Sequence, residues 1–462
     1  MTRKHMNKKA FTSTLFIIAL FIALLSPLMG HTVEIKKTNI NGMTVLHVER
    51  NALPIISITL LIKASLLNEE PEKSGLANLT ASMLQEGTTK RKSTEINEEI
   101  EFLGASLGVS VNRDYTTLTM SILKKDLHKG FEIFSDILTN PSFPEIEIKR
   151  KKELIKGSLR QREEDPSYIA SKAFIKDVFG SHPYSRVTAG TPESLDNIQR
   201  DDIVRFYNKH YLPQNSILSV VGNISSEELK KLLDKHMSDW LKRTKSHEES
   251  LAPQVSLTST FTSPKVTILD RDITQANIIL GHKGISRDNP DFYDIVVMNY
   301  ILGGGGFASR LMKVLRDEMG LTYSIYSSFS VNKEPGEFSV EIQTKNESAP
   351  TAIKEILNQI KKIKQEFVSE QELSDAKSYL TGSFPRRLET SRKIADFLTA
   401  IEFYNLGDDY IKKYPEYINK VTIESIKKVA QKYLDTENFI IVIAGKKEKI
   451  DLSELDQLKN LK

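Results

Sequence analysis

Between Asn289 and Val331 the spacing of apolar residues changes from helical to alternating, and the chain is organised around that change. Asn289 and Pro290 supply a capping side chain and a ring that sacrifices no hydrogen bond at a first helical position. The helix they predict ends at four consecutive glycines, Gly303, Gly304, Gly305 and Gly306. Four in a row interrupt a helix and leave backbone groups open to a ligand. Ser309 is placed to cap a second helix with an apolar stripe of Leu311, Met312, Leu315 and Met319, and Gly320 supplies its stop. The period then becomes two. Leu321, Tyr323, Ile325, Phe329 and Val331 share one face, and Thr322, Ser324, Tyr326, Ser328 and Ser330 the other. The predicted unit is helix, glycine loop, helix, strand. Arg316 and Tyr323 stand out within it. Tyr323 reads either as an apolar-face core residue or as a functional group, and Arg316 either as a packed stem with its charge in water or as the partner of that group.

The chain repeats itself. Residues 198–222 and 421–445 superpose without a gap, matching Ile203 with Ile426, Asn215 with Asn438 and Gly222 with Gly445. Upstream, Pro192-Glu193 matches Pro415-Glu416. Earlier in each copy Gly87 falls on Gly303, Ser93 on Ser309 and Gly104 on Gly320. Both copies close on an apolar strand, Ile217 to Val221 and Phe439 to Ala444. Mixed hairpins and helices in each copy predict an α+β fold: two homologous domains in tandem, each a largely antiparallel sheet packed with helices. The expected boundaries are 33–241 and 265–450, joined by a Ser-, Thr-, Lys- and Pro-rich linker over 242–264. Counted along the repeat, Arg316 and Tyr323 fall on Ile100 and Leu107. The fold itself therefore does not require an arginine and a tyrosine there.

Composition narrows the partners. A formal net charge of +4 over 462 residues, with both signs interspersed, gives no nucleic-acid surface. The first thirty residues read as a signal peptide: Arg3, Lys4, Lys8 and Lys9, an apolar run from Leu15 to Leu25, then Ser26, Pro27 and Gly30. An uncleaved anchor is the alternative, because the looser run from Phe11 to Met29 approaches bilayer length. No later stretch could span a membrane. The chain has no cysteine, so disulfides and a lipid-modified cysteine are excluded, and export to a bacterial periplasm is the expected destination.

The layout resembles the pitrilysin-type zinc peptidase family, in particular the half-size members that work as pairs of subunits. The resemblance rests on Ser74-Gly-Leu-Ala, on Gly180-Ser-His-Pro-Tyr184 with Gly190 and Thr191-Pro-Glu193, and above all on Leu315, Arg316, Gly320, Leu321 and Tyr323 in the form L-R-x-x-x-G-L-x-Y. It implies the mitochondrial-processing-peptidase/LuxS-like metallohydrolase fold. It also implies an inverted zinc motif, H-x-x-E-H, on the first helix of the first domain, where two histidines four apart bind the metal and the glutamate activates water. Here that helix, 75–86, carries Asn78, Ala81 and Ser82 at the motif positions. Where a distant glutamate ligand is due, around Ile155 to Leu159, there is no carboxylate, and Glu153 is out of register. The nine histidines include no pair at helical spacing, and His182 belongs to a structural H-P-Y turn.

The resemblance therefore implies a chain that binds no metal and needs no cofactor itself. Arg316 and Tyr323 would serve a zinc site in a homologous partner subunit bearing H-x-x-E-H. The glycines 303–306 would line a chamber that receives extended peptide substrates. The alternative is an inert structural or peptide-binding scaffold of the same fold.

Overall fold

The apolar stretches that close the two copies become the central strands of two sheets. A computed structural model describes residues 34–244 and 264–453, so the expected signal segment and most of the expected linker lie outside the described residues. In the first half the strands are β1 (Lys36–Ile40), β2 (Met43–Glu49), β3 (Ile55–Ile62), β4 (Ser106–Val111), β5 (Thr116–Leu123) and β6 (Ser216–Gly222). They lie in the order β1-β2-β6-β3-β5-β4. In the second half β7 (Lys265–Asp270), β8 (Gln275–Lys283), β9 (Ile325–Phe329), β10 (Glu337–Lys345) and β11 (Ile440–Gly445) lie in the order β7-β11-β8-β10-β9. Without β1 the two orders are the same, so the repeat in sequence is a repeat of topology. Each sheet is antiparallel except for one parallel pair, β2 with β6 and β7 with β11. In both cases the parallel partner is the strand that returns after a run of helices, the kind of crossover that parallel pairing requires.

Seven helices position the features discussed below. They are α1 (Leu76–Met83), α2 (Ser93–Phe102), α3 (Glu145–Arg162) and α4 (Pro166–Phe179) in the first half. The second half supplies α5 (Phe292–Asn299), α6 (Glu370–Ser383) and α7 (Ser391–Phe403). The helix expected to begin at Asn289-Pro290 starts later, at Phe292. Asn289 instead accepts the Asp291 N–H at 2.9 Å, closing the turn that leads into α5.

Every residue of β6 and of β11 is buried, which a sheet with one wet face would not produce. The second face of each sheet is covered by a helix from the other half. Ile169, Phe174 and Val178 of α4 pack with Ile279 of β8 and with Ile440, Val442 and Ala444 of β11. In return, Ile394, Leu398 and Ile401 of α7 join a core with Leu61 of β3 and with Ile217 and Val221 of β6. Burying one such side chain stabilises by roughly 1.5–3 kcal/mol, so each half draws an outer layer of its core from the other.

Polar contacts fix the register of this exchange. Thr59 of β3 donates to Asp396 of α7 at 2.7 Å. Arg113 pairs with Glu337 at 2.6 Å. The buried Asp114 accepts from the Tyr184 hydroxyl in its own half, and from the Tyr404 hydroxyl at 3.0 Å and the Lys333 N–H at 2.9 Å in the other. Among the described residues no helix is long and apolar enough to cross a membrane.

Candidate functional site

The glycine run does not break α5 where the sequence suggested. The helix continues through Tyr300–Gly304 with a wider, π-type turn. Asn299 donates to the Ser327 carbonyl at 3.1 Å and accepts from the Ser327 hydroxyl at 2.7 Å, tying this turn to β9. Gly303 is buried at the seam, where a Cβ would stand 2.5 Å from the Ser327 hydroxyl and 2.8 Å from Leu311. Its role is close packing, which corrects the expectation that all four glycines line a chamber. Gly304 and Gly306 are exposed, and Gly306 takes a left-handed φ of +57°.

Ser309 is buried and donates to the Gly306 carbonyl at 2.7 Å, closing the loop before the second helix. That helix also winds with π-type turns, over Met312–Glu318. The wider winding keeps Leu311, Met312 and Leu315 buried but carries Met319 into solvent, off the expected stripe. Arg310 anchors the helix through two bonds to Glu372 of α6, at 2.6 and 2.9 Å. Burial raises the Glu372 carboxyl, but Arg310 and Ser369 outweigh that and hold it at about 2. Gly320 stops the helix at φ +62°, with Leu321 N–H reaching the Leu315 carbonyl at 2.8 Å.

Arg316 donates to the adjacent Asp317 at 2.8 Å, and its guanidinium stands 4.9 Å from the centroid of Phe307, a ring 73% exposed. Tyr323 is not inside the strand. It lies at a bend before β9, 89% exposed, without a hydrogen bond among the described residues. The core reading of Tyr323 therefore fails. Arg316 and Tyr323 share one helix-to-strand unit, but no hydrogen bond or cation–π contact joins them. Phe307 was not singled out from the sequence; its signal is an aromatic ring directly after the glycine run.

The sheet register also corrects the internal comparison. Setting Ser219 on Val442 carries through paired residues Thr59 and Ile279, then Thr119 and Glu341, to Gly108 and Tyr326. Leu107 thus corresponds to Ile325, and the counterpart of Tyr323 is Ala105. Gly104 has the same left-handed conformation as Gly320, φ +59°, but one residue separates it from β4 while four separate Gly320 from β9.

The helix matching the zinc motif is α1. Its start is held by the buried Glu69, which accepts from Ala77 N–H at 2.7 Å and Gly75 N–H at 3.0 Å. Burial pushes the Glu69 carboxyl up to about 7, against the pull of those two N–H groups and Arg186. Asn78 and Ser82 lie one turn apart and half-buried, and the Ser82 hydroxyl donates to the Asn78 carbonyl at 2.8 Å. Ala81 is buried and offers no donor. Glu153 on α3 is exposed and turned to Lys156 at 3.2 Å. Among the described residues no three His, Cys, Asp or Glu side chains gather as a metal would require. These donors do not fit zinc. His182 is buried, its imidazole pushed down by that burial, and its Nδ1 accepts the Tyr184 N–H at 3.1 Å. It is a neutral turn cap.

A duplicated α+β fold whose first long helix carries Asn78, Ala81 and Ser82 at the motif positions is that of a relative of the zinc peptidases. Two family models match in tandem, one described as Insulinase (Peptidase family M16) over residues 44–192 and one as Peptidase M16 inactive domain over 197–380. The chain belongs to the M16 peptidase family, as an inactive member. It is 25% identical to a "Non-peptidase homolog YmxG" of Helicobacter pylori over 94% of this chain and 99% of that protein. It is also 25% identical to an "Uncharacterized zinc protease" of Rickettsia bellii over 74% of this chain and 80% of that protein. The crystal structure of a peptidase M16 inactive domain from Pseudomonas fluorescens matches with a TM-score of 0.82 at 26% identity, covering 89% of this chain and 98% of that one.

Proposed function

We propose that this chain is the non-catalytic subunit of a heterodimeric zinc peptidase, exported to the periplasm, and that it presents Arg316 and Tyr323 to a partner subunit carrying H-x-x-E-H and the zinc. The observation that carries this reading is Tyr323 itself. A tyrosine 89% exposed and without a hydrogen bond among the described residues, on a connection longer than the one in the first half, has no structural task there. A hydroxyl so placed suits the negative charge that builds on a carbonyl oxygen during peptide hydrolysis. The guanidinium of Arg316 can clamp a substrate carbonyl or carboxylate in a planar fork. The exposed Gly304 and Gly306 let an extended peptide approach the backbone.

The test is reconstitution. The mature chain, inactive alone, is mixed with a homologous H-x-x-E-H chain encoded in the same genome, and peptide turnover is followed. Activity that requires both chains is expected. Recovery from cells only as a monomer, with no gain of activity on mixing, would leave the alternative of an inert scaffold. The name of the Helicobacter relative, a non-peptidase homolog, accords with either reading.

A further inference from the structure

The helix pair α1 and α3 of the first half has a counterpart in the second. In the first half α1 packs on α3; in the second their repeat partners are α5, with its π-type extension, and α6. In the second half these helices bring together two tyrosines. Tyr300 and Tyr379 lie 5.1 Å apart between ring centroids, and Tyr379 is half exposed. The Tyr300 ring also backs the glycine loop, since a Cβ on Gly305 would stand 3.0 Å from it.

Arg386, on the segment linking α6 to α7, covers the outer edge of this pair. Its guanidinium is 5.9 Å from the Tyr379 centroid, with Nη2 at a long 3.4 Å from the Tyr379 hydroxyl. The neighbouring Arg387 differs. Also exposed, it stands within 6 Å of the Phe384, Phe397 and Tyr414 rings, away from the Tyr300–Tyr379 pair. Arg386 is exposed, and among the described residues no carboxylate lies within ion-pair distance of it. Glu389, which feels its charge at longer range, is held by Lys393 at 2.9 Å. Asp375, one turn before Tyr379 on α6, accepts from Gln371 at 2.8 Å. What remains is an exposed guanidinium beside an aromatic shelf, adjoining the glycine loop.

We propose that Arg386, with Tyr379 and Tyr300 beneath it, is a recognition site for a carboxylate on a bound extended peptide, either an acidic side chain or the free C terminus. An arginine fork matches a carboxylate through two parallel N–H bonds, and the rings beneath stack on the peptide beside it. The site rests on the peptide-binding role given above to the glycine loop, but it does not depend on the partner subunit.

Binding is therefore measured on the full mature chain alone, by fluorescence anisotropy at low salt. Three labelled peptides of one extended sequence are compared: one glutamate with an amidated C terminus, glutamine with an amidated C terminus, and glutamine with a free C terminus. A carboxylate peptide is expected to bind roughly tenfold tighter than the neutral one, with the preference fading as salt screens the charge. The first or the third peptide gaining the advantage tells a side chain from a C terminus. Arg386→Ala should abolish the preference and Arg386→Lys keep part of it, since lysine retains the charge without the fork. Equal binding of all three peptides, no measurable binding of the acidic ones, or an undiminished preference in Arg386→Ala would overturn the site. A failed reconstitution with an intact preference would instead sink the paired-subunit reading and leave this one standing.

Discussion

Leu107 of β4 and Ile325 of β9 occupy the same place in the two sheets, the first opposite Met120 and the second opposite Ile342. The strands themselves correspond residue for residue, so what the second half adds lies just before Ile325. Four residues separate Gly320 from Ile325 where two separate Gly104 from Leu107, and the exposed Tyr323 lies on this longer connection.

Tyr323→Phe should leave folding unchanged, since a surface change of this kind falls within about 0.5 kcal/mol. In the reconstituted complex it should lower kcat on the order of 10²–10³-fold, the usual loss for one donor aimed at developing charge, with KM little changed. Arg316→Ala should raise KM as well. Its contact with exposed Phe307 contributes only about 0.5–1 kcal/mol, so the melting temperature should hardly move. Wild-type turnover in Tyr323→Phe would sink the assignment.

Asp114→Ala should weaken the attachment of the halves. It strips the acceptor from two tyrosine hydroxyls and the Lys333 N–H, and an unsatisfied buried donor costs about 1–3 kcal/mol. Urea unfolding should show a loss on the order of 3 kcal/mol, with faster limited proteolysis. A midpoint equal to wild type would refute the role given to this junction.

Glu69 predicts a pH dependence with a definite sign. Its carboxyl titrates at about 7 in the folded chain, above its ordinary value of 4.5, so the folded state holds the proton longer than the unfolded one. The stability from this group is complete below about pH 4.5 and is lost as pH rises to about 7, by up to about 3 kcal/mol. Glu69→Gln should flatten the melting temperature across that window. An equally steep profile in the variant would assign the titration elsewhere.

The purified chain should retain no stoichiometric zinc after dialysis, as metal analysis can check. Asn78→His with Ser82→His places two imidazoles one turn apart and should give weak binding without activity, because two donors fall short of a closed zinc shell. Adding Ala81→Glu should destabilise the fold, since it forces a carboxylate into a buried site. One firmly held zinc per wild-type chain would contradict the whole account.

The duplication was readable because β6 and β11 keep one gapless offset and both are apolar throughout, as doubly covered strands must be. Gly104 and Gly320 announced two helix stops with the same conformation. The slip came at the next step. Counting residues cannot see an insertion between a helix stop and a strand, so Tyr323 fell on Leu107 instead of Ala105. Met319 failed for a related reason: a stripe drawn at 3.6 residues per turn drifts off the buried face once the turns are π-type. The amphipathic faces of α4 and α7 were also beyond reach, because periodicity says that a face is buried but not against which sheet. Arg386 lay in a stretch with no periodic signal at all.

The exchange of α4 and α7 bears on how the chain must be made. Neither half carries the cover for its own sheet, so a ribosome that has finished the first 241 residues has produced a β-sheet with one wall bare and a helix with nothing to lie on. Both wait for the remainder of the polypeptide. The described halves are what an arm-exchanged dimer becomes when its two chains are fused end to end. Expressed as separate fragments, they should recover native structure only by finding each other.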